Sequence, residues 1–151
     1  MTVPEIVLVG ELNPYGTDPR YAFYDLPVRA SGYLLRTKVM RVRRTTYHRF
    51  KKYNLCAGVW SAPTARTASS KIIIEHMAGD GALFILLGKK VAEAFGGIEF
   101  FERKGHILCL PHPSGLNRMW MEPGAFDRAQ RVLQEAAPHI SWGESAQGGL
   151  Q

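Results

Sequence analysis

Residues 82–87 read Ala-Leu-Phe-Ile-Leu-Leu, an unbroken apolar run stopped by Gly88. A strand with one wet face alternates apolar with polar residues. A continuous run of this length instead reads as a strand covered on both faces, the situation in a parallel sheet with helices above and below it. The rest of the chain supplies the other parts of such a sheet. Ile6-Val7-Leu8-Val9 is a short β-branched run ended by Gly10, and Tyr53–Cys56 and His106–Leu110 are two further candidate strands. Helical patterns fall between and after them. They run from Pro27 to about Arg44, from Ser61-Ala62-Pro63 to Met77, from Lys89 to Phe95, and from the Met121–Gly124 stretch to about Ala137. Proline near a first turn and glycine just past a last one mark several of their ends. Strands alternating with helices predict a three-layer α/β/α sandwich around a central, mostly parallel, four-stranded sheet. One domain over residues 1–140 is expected, with a flexible tail over 141–151, which is rich in Gly, Ser and Gln.

Composition narrows the class. The chain has 151 residues, of which 46% are hydrophobic and 21% charged, so it has enough apolar surface for a core and does not read as disordered. No apolar run approaches the roughly 20 residues of a membrane span, and Met-Thr-Val-Pro-Glu lacks the plan of a secretory signal. The expectation is a cytoplasmic monomer without a membrane partner. Two cysteines, Cys56 and Cys109, are too few for a disulfide scaffold, a four-cysteine zinc site or an iron–sulfur cluster, so neither metal nor cofactor is implied.

The 19 Lys and Arg residues exceed the 13 Asp and Glu residues, a net +6, and the excess is local. Between residues 20 and 52, ten basic residues face the single acid Asp25, giving +9 in that stretch. Tyr21, Phe23, Tyr24, Tyr33, Tyr47 and Phe50 are interleaved with them. This pattern fits either a solvated helix face over core aromatics or a phosphate-binding face with stacking residues.

In an open α/β sheet, ligands bind beyond the carboxyl ends of the strands. Two of the loops expected there are unusual. The first is Gly10-Glu11-Leu12-Asn13-Pro14-Tyr15-Gly16, and the last is Pro111-His112-Pro113-Ser114-Gly115-Leu116-Asn117-Arg118, where two prolines stiffen the backbone around a histidine. These loops resemble those of the uracil-DNA glycosylase superfamily. Gly10-Glu11 with Asn13-Pro14-Tyr15 is similar to the family's first motif, seen as GQDPY, GINPG or GEAPG. His112-Pro113-Ser114-Gly115-Leu116 is similar to the second, seen as HPSPL, NPSGL or HPS. The run Leu86-Leu87-Gly88-Lys89 resembles the family's third strand and turn, and Asn54 falls where a base-reading Asn is common. The resemblance spans roughly Val7 to Trp120.

The resemblance implies a monofunctional DNA glycosylase, which hydrolyses the N-glycosidic bond of a uracil or other modified base flipped out of single-stranded or duplex DNA. His112 would donate to the base O2 as negative charge develops there, and Asn13 would orient the attacking water. Asn54 would read the base edge, Tyr15 would lie against C5, and Phe23, with Tyr24 as the alternative, would stack on the ring. Leu116 would fill the vacated stack, while Ser114, Arg118 and the basic residues Arg41, Arg43 and Arg44 would hold phosphates. Neither motif carries a lysine for a Schiff base, hence the monofunctional reading. The motif lacks the Asp of GQDPY, and Asn is a poor general base, so Glu11 is the carboxylate expected to compensate. Two alternatives stay open on sequence: a member of the fold that binds DNA without cleaving it, and an N-glycosidase of free nucleosides or nucleotides.

Overall fold

A computed structural model describes residues 4–13, 22–26, 28, 30–77, 81–114 and 117–143. The apolar run at its centre is the strand β3 (Ala82–Leu87), and every one of its side chains is buried. Beside it lie β1 (Glu5–Asn13) and, beyond β1, β2 (Lys51–Ala57); on the other side is β5 (Ile107–Leu110). These four strands are parallel, in the order β2-β1-β3-β5. The sheet has five strands rather than the expected four. A two-residue strand, β4 (Arg103–Lys104), pairs antiparallel with β5 at the edge, and it is too short to leave a periodic signature in the sequence.

Alternation along the strands assigns the two faces. Ile6, Leu8, Leu83, Ile85, Leu87, Leu108 and Leu110 enter one apolar cluster, whereas Val7, Val9, Ala82, Phe84, Leu86 and Cys109 enter the other. The first face is covered by α1 (Ser31–Leu34) with the π-helical turn that continues it (Leu35–Met40), by α2 (Arg44–Tyr47), and by α5 (Ala125–Ala136). The second is covered by α3 (Ala62–Met77) and α4 (Lys89–Ala94). The connections β1 to β2 and β2 to β3 run in opposite directions along the sheet and lie on opposite faces, as a common crossover hand requires. No helix among the described residues is long and apolar enough to cross a membrane.

The stretch expected to be one helix from Pro27 to Arg44 is broken. It begins at Ser31, widens into the π-helical turn, and ends at Arg41, whose φ of 55° is left-handed. The Thr37 hydroxyl donates to the Tyr33 carbonyl (2.8 Å), a back-bond that competes with regular helical hydrogen bonding. The buried Gln130 of α5 closes the far end by donating Nε2 to the Val39 and Met40 carbonyls (2.8 and 2.9 Å). The core also passes the expected boundary at residue 140. Trp142 is buried, its ring lies 5.8 Å from that of Phe50, and its indole N–H donates to the Ala137 carbonyl. Residues 144–151 of the expected tail lie outside the described residues.

Asp25 is fully buried just before α1. Arg36 Nε lies 3.1 Å from its Oδ2, Arg44 Nε donates to the same oxygen at 2.8 Å, and His48 Nε2 lies 3.2 Å from Oδ1. Burial pushes this carboxyl up, but the hydrogen bonds from Arg44 and His48, with their charges, outweigh it and hold the pKa below the ordinary carboxylate value.

Two stability measurements follow. Ile85→Ala removes a fully buried side chain and is expected to cost about 2–5 kcal/mol in chemical denaturation. Asp25→Ala leaves the buried Arg36 without its carboxylate, an expected loss of about 3–5 kcal/mol. Because the folded pKa of Asp25 is depressed, its contribution is present above the unfolded value near ~4 and is lost as pH falls through the folded value. The Asp25→Ala variant is therefore expected to show a flatter stability profile below about pH 4 than the parent.

Candidate functional site

The connections out of β1 and β3 leave in opposite directions, so the crevice at their carboxyl ends is the point where strand order reverses. Gly10 sits on β1 near that end, paired in register with Asn54 of β2. A Cβ built on Gly10 would overlap the edge of the Phe23 ring and would lie 2.5 Å from Asn54 Oδ1. The absent side chain is what lets an aromatic ring and an amide reach the same point on the strand.

Phe23 is held there by an unusual backbone angle and two contacts made through its carbonyl. Its φ of 49° is left-handed, its carbonyl accepts from the buried Tyr47 hydroxyl (2.6 Å), and its carbonyl and that of Tyr24 press so closely on Gly32 that a Cβ on Gly32 would collide with both. A bulky residue in this backbone region stores strain, which persists only where the surroundings over-determine it. Tyr24, the alternative stacking ring, points away. It is 47% exposed, and its ring lies 6.3 Å from that of His48.

The loop after β5 brings His112 to the same place, with its ring 6.0 Å from that of Phe23. Gly88, whose φ of 113° suits glycine, passes beside it at the end of β3, and a Cβ there would lie 3.7 Å from the His112 Cβ. The Ser114 backbone N–H donates to His112 Nδ1 (3.1 Å), so Nδ1 carries the lone pair and the ring proton sits on Nε2. The His112 carbonyl accepts from both Asn117 Nδ2 and the Trp120 indole N–H, each at 2.9 Å. Burial lowers the pKa of the imidazole and the Glu11 carboxylate partly offsets this, leaving the ring neutral near pH 7. The result is a fixed, uncharged N–H donor at the carboxyl end of the sheet.

Glu11 also lies at this end. Its Oε1 is 3.5 Å from Lys90 Nζ, and that ammonium sits 5.6 Å from the centre of the Trp60 ring. Asn13 closes β1 opposite Ala57. Its side chain, together with Tyr15 and Leu116, lies outside the described residues. Of the expected site residues, Phe23, Asn54 and His112 are thus brought around Gly10 and Gly88, whereas Glu11, next to Gly10 on β1, faces Lys90 of α4 and reaches His112 through its charge.

The expected phosphate-binding residues divide. Ser114 is half-buried in the His112 loop, and Arg118 is exposed on the 3-10 turn Arg118–Met121. Arg43 is exposed, and Arg41 is partly buried where the π-helical turn ends. Arg44, expected to hold a phosphate, instead has its guanidinium on the Asp25 carboxylate. Arg36 is buried on the same carboxylate. Lys52 donates to the Tyr47 and Phe50 carbonyls and lies 4.4 Å from the centre of the Tyr47 ring; burial lowers its pKa to about 8. Three residues of the basic stretch, Arg36, Arg44 and Lys52, therefore build the scaffold that carries Phe23.

Sequence reasoning missed the residues that orient the site. Tyr47 and Asp25 gave no local signal, since their partners are distant in sequence. Asn117 was more readable: its Oδ1 accepts from the Met119 N–H, an N-cap on the 3-10 turn. Cys56 and Cys109 are both buried thiols, and burial pushes Cys109 up to about 12. Among the described residues no group of three or more His, Cys, Asp or Glu side chains is arranged to hold a metal ion. Comparison with protein-family models, with curated proteins and with solved structures returned no match.

Nitrogen-15 NMR of the imidazole tests the tautomer directly. His112 is expected to show protonated Nε2 and bare Nδ1 at neutral pH, with a titration midpoint below the ordinary ~6.5. Glu11→Gln removes the one charge that raises it, so the midpoint should fall further. A protonated Nδ1, or a midpoint that rises in the variant, contradicts this electrostatic picture. Gly10→Ala is expected to displace Phe23 or Asn54 and to destabilise by roughly 1–3 kcal/mol in thermal unfolding.

Proposed function

We propose that this chain is a monofunctional DNA glycosylase acting on a flipped-out uracil or another modified base. The observation that supports this reading best is the His112 imidazole, neutral and locked by Ser114 with its Nε2–H available, beside Phe23 and Asn54 at one point on the sheet.

The chemistry needs such a donor. Breaking the bond between C1′ and the base nitrogen sends the electron pair into the base, where negative charge collects on the ring carbonyl. A neutral N–H already aimed at that oxygen stabilises the charge as it forms, without first losing a proton or reorganising water. Losing one preorganised donor of this kind costs about 2.7–4 kcal/mol of the barrier. Phe23, largely buried with only 8% of its surface exposed, is assigned the stacking contact with the base, and the Asn54 amide has both a donor and an acceptor for its edge. Water then forms the new bond to C1′. Its proton needs an acceptor, and Glu11, kept close to Lys90, is the carboxylate at this end of the sheet assigned that part. Asn13 at the end of β1 is assigned the orientation of the water.

The partner in this reading is DNA, single-stranded or with the base already out of the stack. The basic residues left exposed between 38 and 51, Lys38, Arg43, Arg49 and Lys51, supply an attraction for phosphates that falls with salt.

The test is a panel of oligonucleotides carrying uracil, hydroxymethyluracil, hypoxanthine, xanthine or a glycosylated base, with released bases identified by mass spectrometry. One of them should yield free base and an abasic site, and His112→Ala and Asn13→Ala should each slow release by at least ~10²-fold with the fold retained. Salt-sensitive DNA binding with no base released from any substrate overturns the enzymatic reading.

A further inference from the structure

A concavity also lies against the His112 loop. It has a volume of about 270 Å³ and is lined by Leu34, Lys38 and Val39 from α1 and its π-helical extension, and by Pro113, Ser114, Asn117, Trp120, Met121 and Phe126 from the loop after β5 and the start of α5. We propose that this groove is a nucleotide subsite: it takes the base of a neighbouring nucleotide in the same DNA strand, with that nucleotide's phosphate on Lys38. The proposal rests on the reading of DNA as the partner.

Three features of the groove favour a nucleotide. The volume lies below the ~300 Å³ at which pockets for drug-sized molecules begin, so it suits a single ring system. The walls are suited to a flat ring. Trp120 and Phe126 are stacked on one another with centroids 5.1 Å apart and planes inclined by 14°, while Leu34, Val39 and Pro113 supply aliphatic surface. Met121 is 79% exposed and can fold over an occupant, as flexible thioethers do.

The charge complements a phosphate. Lys38 is exposed and is the one ionised side chain among the described lining residues, none of which is a carboxylate. Asn117 is already committed at both ends of its amide, to the His112 carbonyl and the Met119 N–H, so it adds no base-edge code. The groove should therefore accept any base and discriminate by the phosphate. It shares residues with the proposed reacting site, because Ser114, Asn117 and Trp120 are the residues that fix His112. A base seated here would buttress that loop while its neighbour occupies the crevice at Gly10.

The experiment uses the full chain, isotope-labelled at methyl groups and tryptophan indoles, titrated with deoxyadenosine monophosphate, deoxyadenosine and decanoate. The monophosphate should shift the Trp120 indole resonance saturably and give nuclear Overhauser contacts from adenine protons to the Leu34 and Val39 methyls. Lys38→Gln, an exposed substitution that leaves the core intact, should weaken the monophosphate at least fivefold and leave the nucleoside within twofold. Absence of those methyl contacts, an affinity unchanged in Lys38→Gln, or tighter binding of decanoate than of the monophosphate overturns the proposal, the last by making the groove a site for apolar anions. These readouts do not involve base release. A glycosylase that releases base normally but shows no contacts at Leu34 and Val39 sinks the subsite alone, whereas mononucleotide binding here with no base released from any oligonucleotide sinks the reaction alone.

Discussion

The buried carboxylate of Asp25 is the constraint on which the rest of the site depends. Three cationic or potentially cationic side chains close on it, from the π-helical turn, from the start of α2 and from the residue after α2. A charge with no exposed surface is tolerable only when it is paired on several sides, so this clasp ties the 22–26 segment to the elements that cover one face of the sheet. Phe23 lies two positions before Asp25. Its strained backbone is held by Tyr47 and Gly32, both in or beside those elements, and its ring is thereby delivered to Gly10.

The basic stretch, which composition left open between a solvated helix face and a phosphate-binding one, has two parts. Arg36, Arg44 and Lys52 turn inward or lie along the scaffold, on a carboxylate and on backbone carbonyls. Lys38, Arg43, Arg49 and Lys51 remain at the surface. The same run of charge thus serves folding and, in the proposed function, attraction of a polyanion. A substitution in this stretch can act on either, and burial of the residue concerned decides which.

On the opposite side of the crevice, rigidity comes from hydrogen bonds instead of ion pairs. The His112 loop is fixed by a backbone N–H on the ring nitrogen and by an amide and an indole on the carbonyl. Each of these sets what the imidazole can do. The first selects the Nε2–H tautomer, and the other two anchor the backbone that aims it. Burial keeps the ring uncharged, with Glu11 as a partial counterweight.

The sequence by itself determined the layers of this protein and the addresses of its loops. Ala82–Leu87 was legible as a strand because burial on both faces removes alternation, and Gly88 and Pro111-His112-Pro113 were legible as strand ends because backbone freedom and rigidity are local properties of those residues. Gly10, expected to end its strand, instead lies inside β1, which pairs with β2 as far as Asn13. Tertiary structure decided everything that depends on distant partners. The edge strand β4 is too short to show a period, and the expected helix from Pro27 to Arg44 breaks because its interior satisfies other bonds. Phe23 was separated from Tyr24, and Arg44 from Arg43, by contacts nineteen or more positions away, Arg44 to Asp25 and Tyr47 to Phe23. Trp142, which reads as part of a polar tail, is core because Phe50 and Ala137 happen to meet it. Periodicity reports which residues can be buried, and only the packing of the whole chain selects which aromatic ring and which cation face the crevice.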